Sequence, residues 1–198
     1  MFLEISPGKY WRRKTAPIDY VEGMELVIPT AEIPTDYKSS LHLAEKWLKT
    51  CKTTHPSCRC ESGMSPSRLL YIGENVVRLS LQNEHPHHTS YSTLSHCWGR
   101  SDILKLTTAT FKEFQRSIPL KRLCKTLLEA IAVTRTFGFK YLWVDSLCIV
   151  QEENDDWIEE SALMSTVYGG SELNIAGAGA TDGNGGLFFN RISSDFRR

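Results

Sequence analysis

The chain has 198 residues, 41% hydrophobic and 23% charged, with 23 basic and 23 acidic side chains. That length suits one domain, or one domain with an extension, and a chain of this size buries about 70% of its extended surface without a disulfide framework. Zero formal net charge excludes binding to nucleic acid through phosphate neutralisation. No apolar run approaches the roughly 20 residues of a membrane span, and MFLEISPGKYWRRK lacks a signal-peptide core. We expect a soluble, cytoplasmic protein with no nucleic-acid and no membrane partner.

Five of the eight prolines fall before residue 60, and the first 67 residues read as an irregular mixed extension. One helix is predicted there, over residues 39–52, with Leu41, Ala44, Trp47 and Leu48 on one face. Cys51, His55, Cys58 and Cys60 follow within ten residues. Zinc accepts a Cys3His set, yet the one-residue gap between Cys58 and Cys60 is tight for one tetrahedral ion. The cluster is read as a reduced, locally packed loop, and no metal site is assigned. Cys97, Cys124 and Cys148 stand alone in apolar segments, as buried free cysteines do, and a reduced compartment suits the set.

Two short strands are predicted at 68–72 and 76–81, split by Gly73-Glu74-Asn75. QNEHPHHTS, with His85, His87 and His88, reads as a solvated loop. A β-prone stretch at 91–95 runs into the loop HCWGRSD. Thr108 or Thr110 opens a modest helix. Residues 121–137 make the clearest helix, with Leu123, Leu127, Leu128 and Ile131 as its stripe and Gly138 as the C′ glycine. The run YLWVDSLCI (141–149) has the continuous apolarity of a strand buried on both faces. A helix over 156–168 and a strand over 172–178 complete an α/β rhythm with a parallel sheet. The glycines of 177–186 match no phosphate-loop pattern and read as a flexible connection, and residues 192–198 read as a tail.

In an open parallel sheet, ligands bind outside the carboxyl ends of the strands. Ser95, His96, Trp98, Gly99 and Arg100 follow the first strand of the rhythm, and Asp145 and Ser146 lie in or just after the central one. Asp145 is either a structural group, with Arg100 or Arg135 as partner, or faces a ligand. His96 is either a base or a structural turn residue. Cys97 and Cys148 are poor nucleophiles, with no base near them in sequence. Six of the nine residues 152–160 are acidic. Most suit a helix N-terminus, but Glu160 shares a face with Met164, Val167 and Tyr168. There a carboxylate must be paired, protonated or lining a cavity.

The blocks YSTLSHCWG (91–99), LLEAIAVTRTFGFKYLWVDSLCIVQ (127–151), DWIEESALMSTVY (156–168) and GGLFFNR (185–191) together resemble the HET domain, the fungal heterokaryon-incompatibility family, over roughly residues 68–191. The resemblance implies fungal non-self recognition with cell death as output. HET domains are in turn distantly similar to TIR domains, which implies a TIR- or flavodoxin-like parallel sheet flanked by helices. By the same resemblance, Glu160, with Glu159 as the alternative register, matches the glutamate with which TIR enzymes cleave NAD. The expectations that follow are Glu160 and Asp145 as catalytic groups, and Ser95, His96, Trp98, Gly99, Arg100, Ser146 and Trp157 around the bound nucleotide. NAD would be substrate, with no prosthetic group, and activation would proceed through a homo-oligomer. The alternative is a non-catalytic module acting by homotypic assembly, a reading that balanced charge and exposed aromatics such as Tyr10, Trp11 and Phe188 allow.

Overall fold

The computed structural model describes residues 2–4, 37–55, 58, 65–86, 88–100 and 102–188. Its elements are β1 (Phe2–Glu4), α1 (Tyr37–Thr54), β2 (Arg68–Ile72), β3 (Val77–Leu81), β4 (Ser92–His96) and α2 (Thr108–Arg116). They continue with α3 (Lys125–Thr136), β5 (Tyr141–Val144), α4 (Asp145–Cys148), α5 (Asn154–Gly170) and β6 (Leu173–Gly177). The architecture is α/β, as expected. Six strands form one sheet in the order β1-β6-β4-β5-β2-β3. β1, β6, β4 and β5 are mutually parallel, whereas β2 joins β5 antiparallel and carries β3 as a hairpin. The parallel sheet of the sequence reading is therefore four strands of a six-stranded mixed sheet. Gly73 N donates to Val76 O at 2.9 Å and closes the hairpin turn.

Alternation along β4 assigns the flanking helices. Ser92 Oγ lies 2.9 Å from Thr134 Oγ1 of α3, while its neighbour Thr93 lies 3.2 Å from Ser171 Oγ at the end of α5. Successive strand residues face opposite ways, so α3 and α5 cover opposite faces. The middle of the sheet is dry on both sides: Leu94, Leu142, Trp143, Val144, Leu173 and Ile175 are all buried.

Local chemistry sets the helix ends. Thr107 and Thr110 form a reciprocal capping box at the start of α2, which satisfies two otherwise orphaned N–H groups. Gly138 follows α3 with φ +77°, a conformation only glycine takes without strain. Two apolar stripes differ from expectation at their margins. Leu41, Ala44 and Leu48 are buried on α1 but Trp47 is exposed, and Leu128 is exposed on α3.

The largest correction concerns residues 141–149. The strand stops at Val144, and the next four residues turn into α4. Asp145 Oδ1 accepts the Ser146 N–H at 2.7 Å, and Ile149 N donates to Asp145 O at 3.1 Å. Burial makes the run apolar throughout, and these bonds decide where its backbone turns. The glycine segment is also ordered rather than a loose connection. Gly183 O accepts Thr126 N at 2.9 Å, Gly186 N donates to Thr126 Oγ1 at 3.0 Å, and Phe188 N donates to Glu129 Oε2 at 3.2 Å. It thus satisfies one orphan amide at the start of α3, Thr126 N, has its own amides held by α3 side chains, and delivers Leu187 to the core. Among the described residues, no helix is long and apolar enough to cross a membrane.

Candidate functional site

The chain leaves β4 for α3 on one face and leaves β5 for α5 on the other. The carboxyl ends of β4 and β5 therefore flank the switch point at which open α/β sheets place their ligands. His96 closes β4, and Asp145 follows β5 directly. Trp98 donates its Nε1–H to Asp145 Oδ1 at 3.2 Å, so β4's loop and α4 are tied together by that carboxylate.

His96 is the unusual member. Both of its ring nitrogens are shut off from solvent, and neither has a hydrogen-bond partner among the described residues. Burial pulls its pKa below the ordinary value, with the Asp145 carboxylate opposing that shift. Burial likewise raises Asp145, against the effects of His96, the Ser146 amide and the Trp98 indole. Ser146 Oγ, beside them, is also buried without a partner. Orphaned buried polar atoms are rare and costly, and here two residues at the switch point carry them.

Around this group lie residues that sequence reasoning passed over. The Lys105 ammonium stands over the Trp98 ring, 5.3 Å from its centroid. Tyr168 of α5 donates its hydroxyl to Leu94 O at 3.2 Å, packs edge-on against Trp143 and has its pKa pushed up to about 12, chiefly by burial. Lys105 sits in the apolar run ILKL, where nothing in the sequence ties it to Trp98. Tyr168 was legible only as part of a helix stripe.

Gly99 has φ +61°, and a Cβ there would meet Asp182 Cβ at 2.5 Å and Thr181 O at 2.8 Å. The loop after β4 therefore packs against the one after β6 through a position only glycine fits. Ser95 and Arg100 are exposed at this edge.

Two expected members lie elsewhere. Glu160 is 7% exposed and its Oε1 is 3.2 Å from Arg68 Nη2, while Ser67 donates its hydroxyl to the same oxygen. Arg68 also grips both oxygens of Asp156 at 2.7 and 2.8 Å and donates from Nε to Cys148 O at 2.6 Å. Glu160 is thus a paired, buried carboxylate at the far end of α4 from Asp145. Its neighbour Glu159 is exposed. Trp157 lies on the outside of α5, 53% exposed.

Other groups are placed plainly. Arg135 donates to Gly73 O at 2.7 Å and is no partner of Asp145. Cys97 is exposed rather than buried, Cys124 is half-buried, and the Cys148 thiol is pushed up to about 12 by complete burial. His85 is buried rather than solvated, 3.0 Å from Ser65 Oγ and edge-on to Tyr141. His87 and Cys60 lie outside the described residues.

The family model for the heterokaryon incompatibility protein (HET) matches residues 91–197. The chain belongs to the HET family. Its role accordingly falls within heterokaryon incompatibility. No curated protein and no solved structure gives a significant match. The matched span takes in β4, β5 and β6 with α2 to α5, so the HET domain supplies His96, Trp98 and Asp145 itself. The β2–β3 hairpin lies ahead of the match yet completes the same sheet.

Proposed function

We propose that the HET domain binds NAD at the carboxyl ends of β4 and β5 and hydrolyses its nicotinamide–ribose bond, with cell death as the consequence. The observation that carries this reading is the His96 imidazole, its nitrogens buried and unbonded among the described residues, beside the Asp145 carboxylate at the switch point. The C1′–N1 bond breaks and its electron pair leaves with neutral nicotinamide, so no general acid is required. Positive charge develops on the ribose, as in glycoside hydrolysis, and the Asp145 anion stabilises it. Water then bonds to C1′ and releases a proton to the neutral His96, giving ADP-ribose, nicotinamide and one proton.

In this scheme Lys105 and the exposed Arg100 are the cations near the pyrophosphate, and Trp98 offers an aromatic edge. Glu160 becomes a positioning residue. It holds Arg68, which in turn holds Cys148 O at the end of the turn that begins with Asp145. Incubating the purified chain with NAD should release nicotinamide, and Asp145→Asn should cut the rate by about 100-fold or more. No release at high protein concentration would sink the enzymatic reading.

One observation favours a second reading, homotypic assembly without catalysis. Trp157, Ile158 and Leu163 are exposed on α5, Ile158 to 60%, and adjacent large apolar side chains such as Trp157 and Ile158 left in solvent can mark an interaction site. If so, Asp145→Asn should leave cell death intact while Ile158→Asp abolishes it.

A further inference from the structure

We propose that Cys51, His55 and Cys58 form a zinc site that fixes the end of α1 to the chain that follows it. Cys51 and His55 are four residues apart and share a helix face, and His55 N donates to Cys51 O at 3.1 Å. Cys58 N then donates to His55 O at 3.1 Å, which folds the chain back onto the same face. The two thiols and one imidazole nitrogen all lie within 4.8 Å of one another. The Cys51 and Cys58 thiols are close enough to hydrogen-bond to each other.

Tetrahedral zinc with Zn–S near 2.3 Å and Zn–N near 2.0 Å sets its donors about 3.8 Å apart. The three side chains reach that spacing by shifts of about an ångström. Cys51 is half-buried and the other two are exposed, so such shifts meet little packing. Thiolate and imidazole together select zinc over the hard cations. As two Zn–S bonds and one Zn–N bond form, the two thiols release two protons. The three-donor set does not depend on the Cys58–Cys60 spacing that argued against a metal in the sequence.

The site's place indicates its role. Lys52, next to Cys51, donates to Glu172 at 2.5 Å, and Glu172 N donates to Tyr91 O at 3.0 Å. Glu172 and Tyr91 directly precede β6 and β4, so the cluster lies at the amino ends of the parallel strands. His96 and Asp145 lie at the opposite ends. With water as the fourth ligand, the zinc holds the α1 turn, not the reacting edge.

The reduced, metal-free full chain titrated with cobalt(II) should take up one equivalent. Thiolate-to-cobalt charge transfer and tetrahedral d–d bands should appear, and zinc should displace them. Cys51→Ser and Cys58→Ser should each weaken uptake by at least about 100-fold, while Cys124→Ser leaves it unchanged. Zinc should also protect both thiols of the native chain from alkylation, and a chelator should reverse that protection. The proposal is overturned by a cobalt spectrum without thiolate bands. Uptake that survives in the Cys51→Ser/Cys58→Ser double variant would overturn it as well. So would a Cys51–Cys58 disulfide that persists in glutathione buffer and takes up no metal.

Discussion

Asp145 and His96 share one buried corner, and each shifts the other's titration, so their protons belong to the pair. The proposed hydrolysis needs Asp145 ionised and His96 neutral. Burial raises the first from 3.8 and lowers the second from 6.5, so activity should fall, as pH drops, within the window between those two values. A rate–pH profile checks this, and Asp145→Asn should leave an acid limb set by His96 alone and moved to lower pH, while keeping the bonds from Trp98 and Ser146 through its remaining oxygen. Glu160 behaves differently. Arg68→Met strands the buried Glu160 and the half-buried Asp156 and should cost about 3 kcal/mol of stability, read by denaturant unfolding. Glu160→Gln should lower the melting temperature yet leave the acid limb of any residual activity in place. A Glu160→Gln variant that is fully stable but inactive would restore that residue to the chemistry. The tension at Glu160, a carboxylate on an apolar stripe, was legible in sequence. Its partner Arg68 lies on a distant strand, so the resolution as an ion pair was not.

Among the elements, α2 and α3 follow local rules closely, because their ends are governed by groups within a few residues. Thr107→Ala removes the α2 cap and should cost about 1 kcal/mol. Gly138→Ala forces a side chain to φ +77° in otherwise open space and should cost about 1–2 kcal/mol through the backbone alone. Thermal unfolding of the two variants measures both. The span 141–149 went the other way. Its apolarity correctly marked a buried element but could not distinguish β5 from the α4 turn. That boundary depends on a carboxylate bonding its neighbour's amide and on Leu106 N reaching Ser146 O at 2.8 Å. The glycine-rich segment was likewise misread as loose, since its partners Thr126 and Glu129 lie some 60 residues earlier in the chain.

Across the described residues, α1 packs on the same core as the matched HET span. Leu41 and Leu48 join the shared core, Tyr37 packs on Phe188 with ring centroids 4.7 Å apart, and Lys52 bonds Glu172. Phe188, expected as an exposed aromatic, is thereby occupied. Tyr10 and Trp11, expected alongside it, lie outside the described residues. Trp157 and Ile158 stay exposed on α5, and the assembly reading rests on them. Sedimentation over a range of concentrations should show self-association that Ile158→Asp reduces. A chain that stays monomeric at every concentration would remove the assembly reading.

The α/β class and the family were determined by the sequence, because periodicity and motif blocks are local properties of the chain. Only the tertiary structure decided what each carboxylate meets. Glu160 and Asp145 look alike as acids in apolar runs, but one meets Arg68 from β2 and the other meets an unpartnered imidazole from β4. Partners so distant along the chain are set by strand order and register, and no local pattern encodes them.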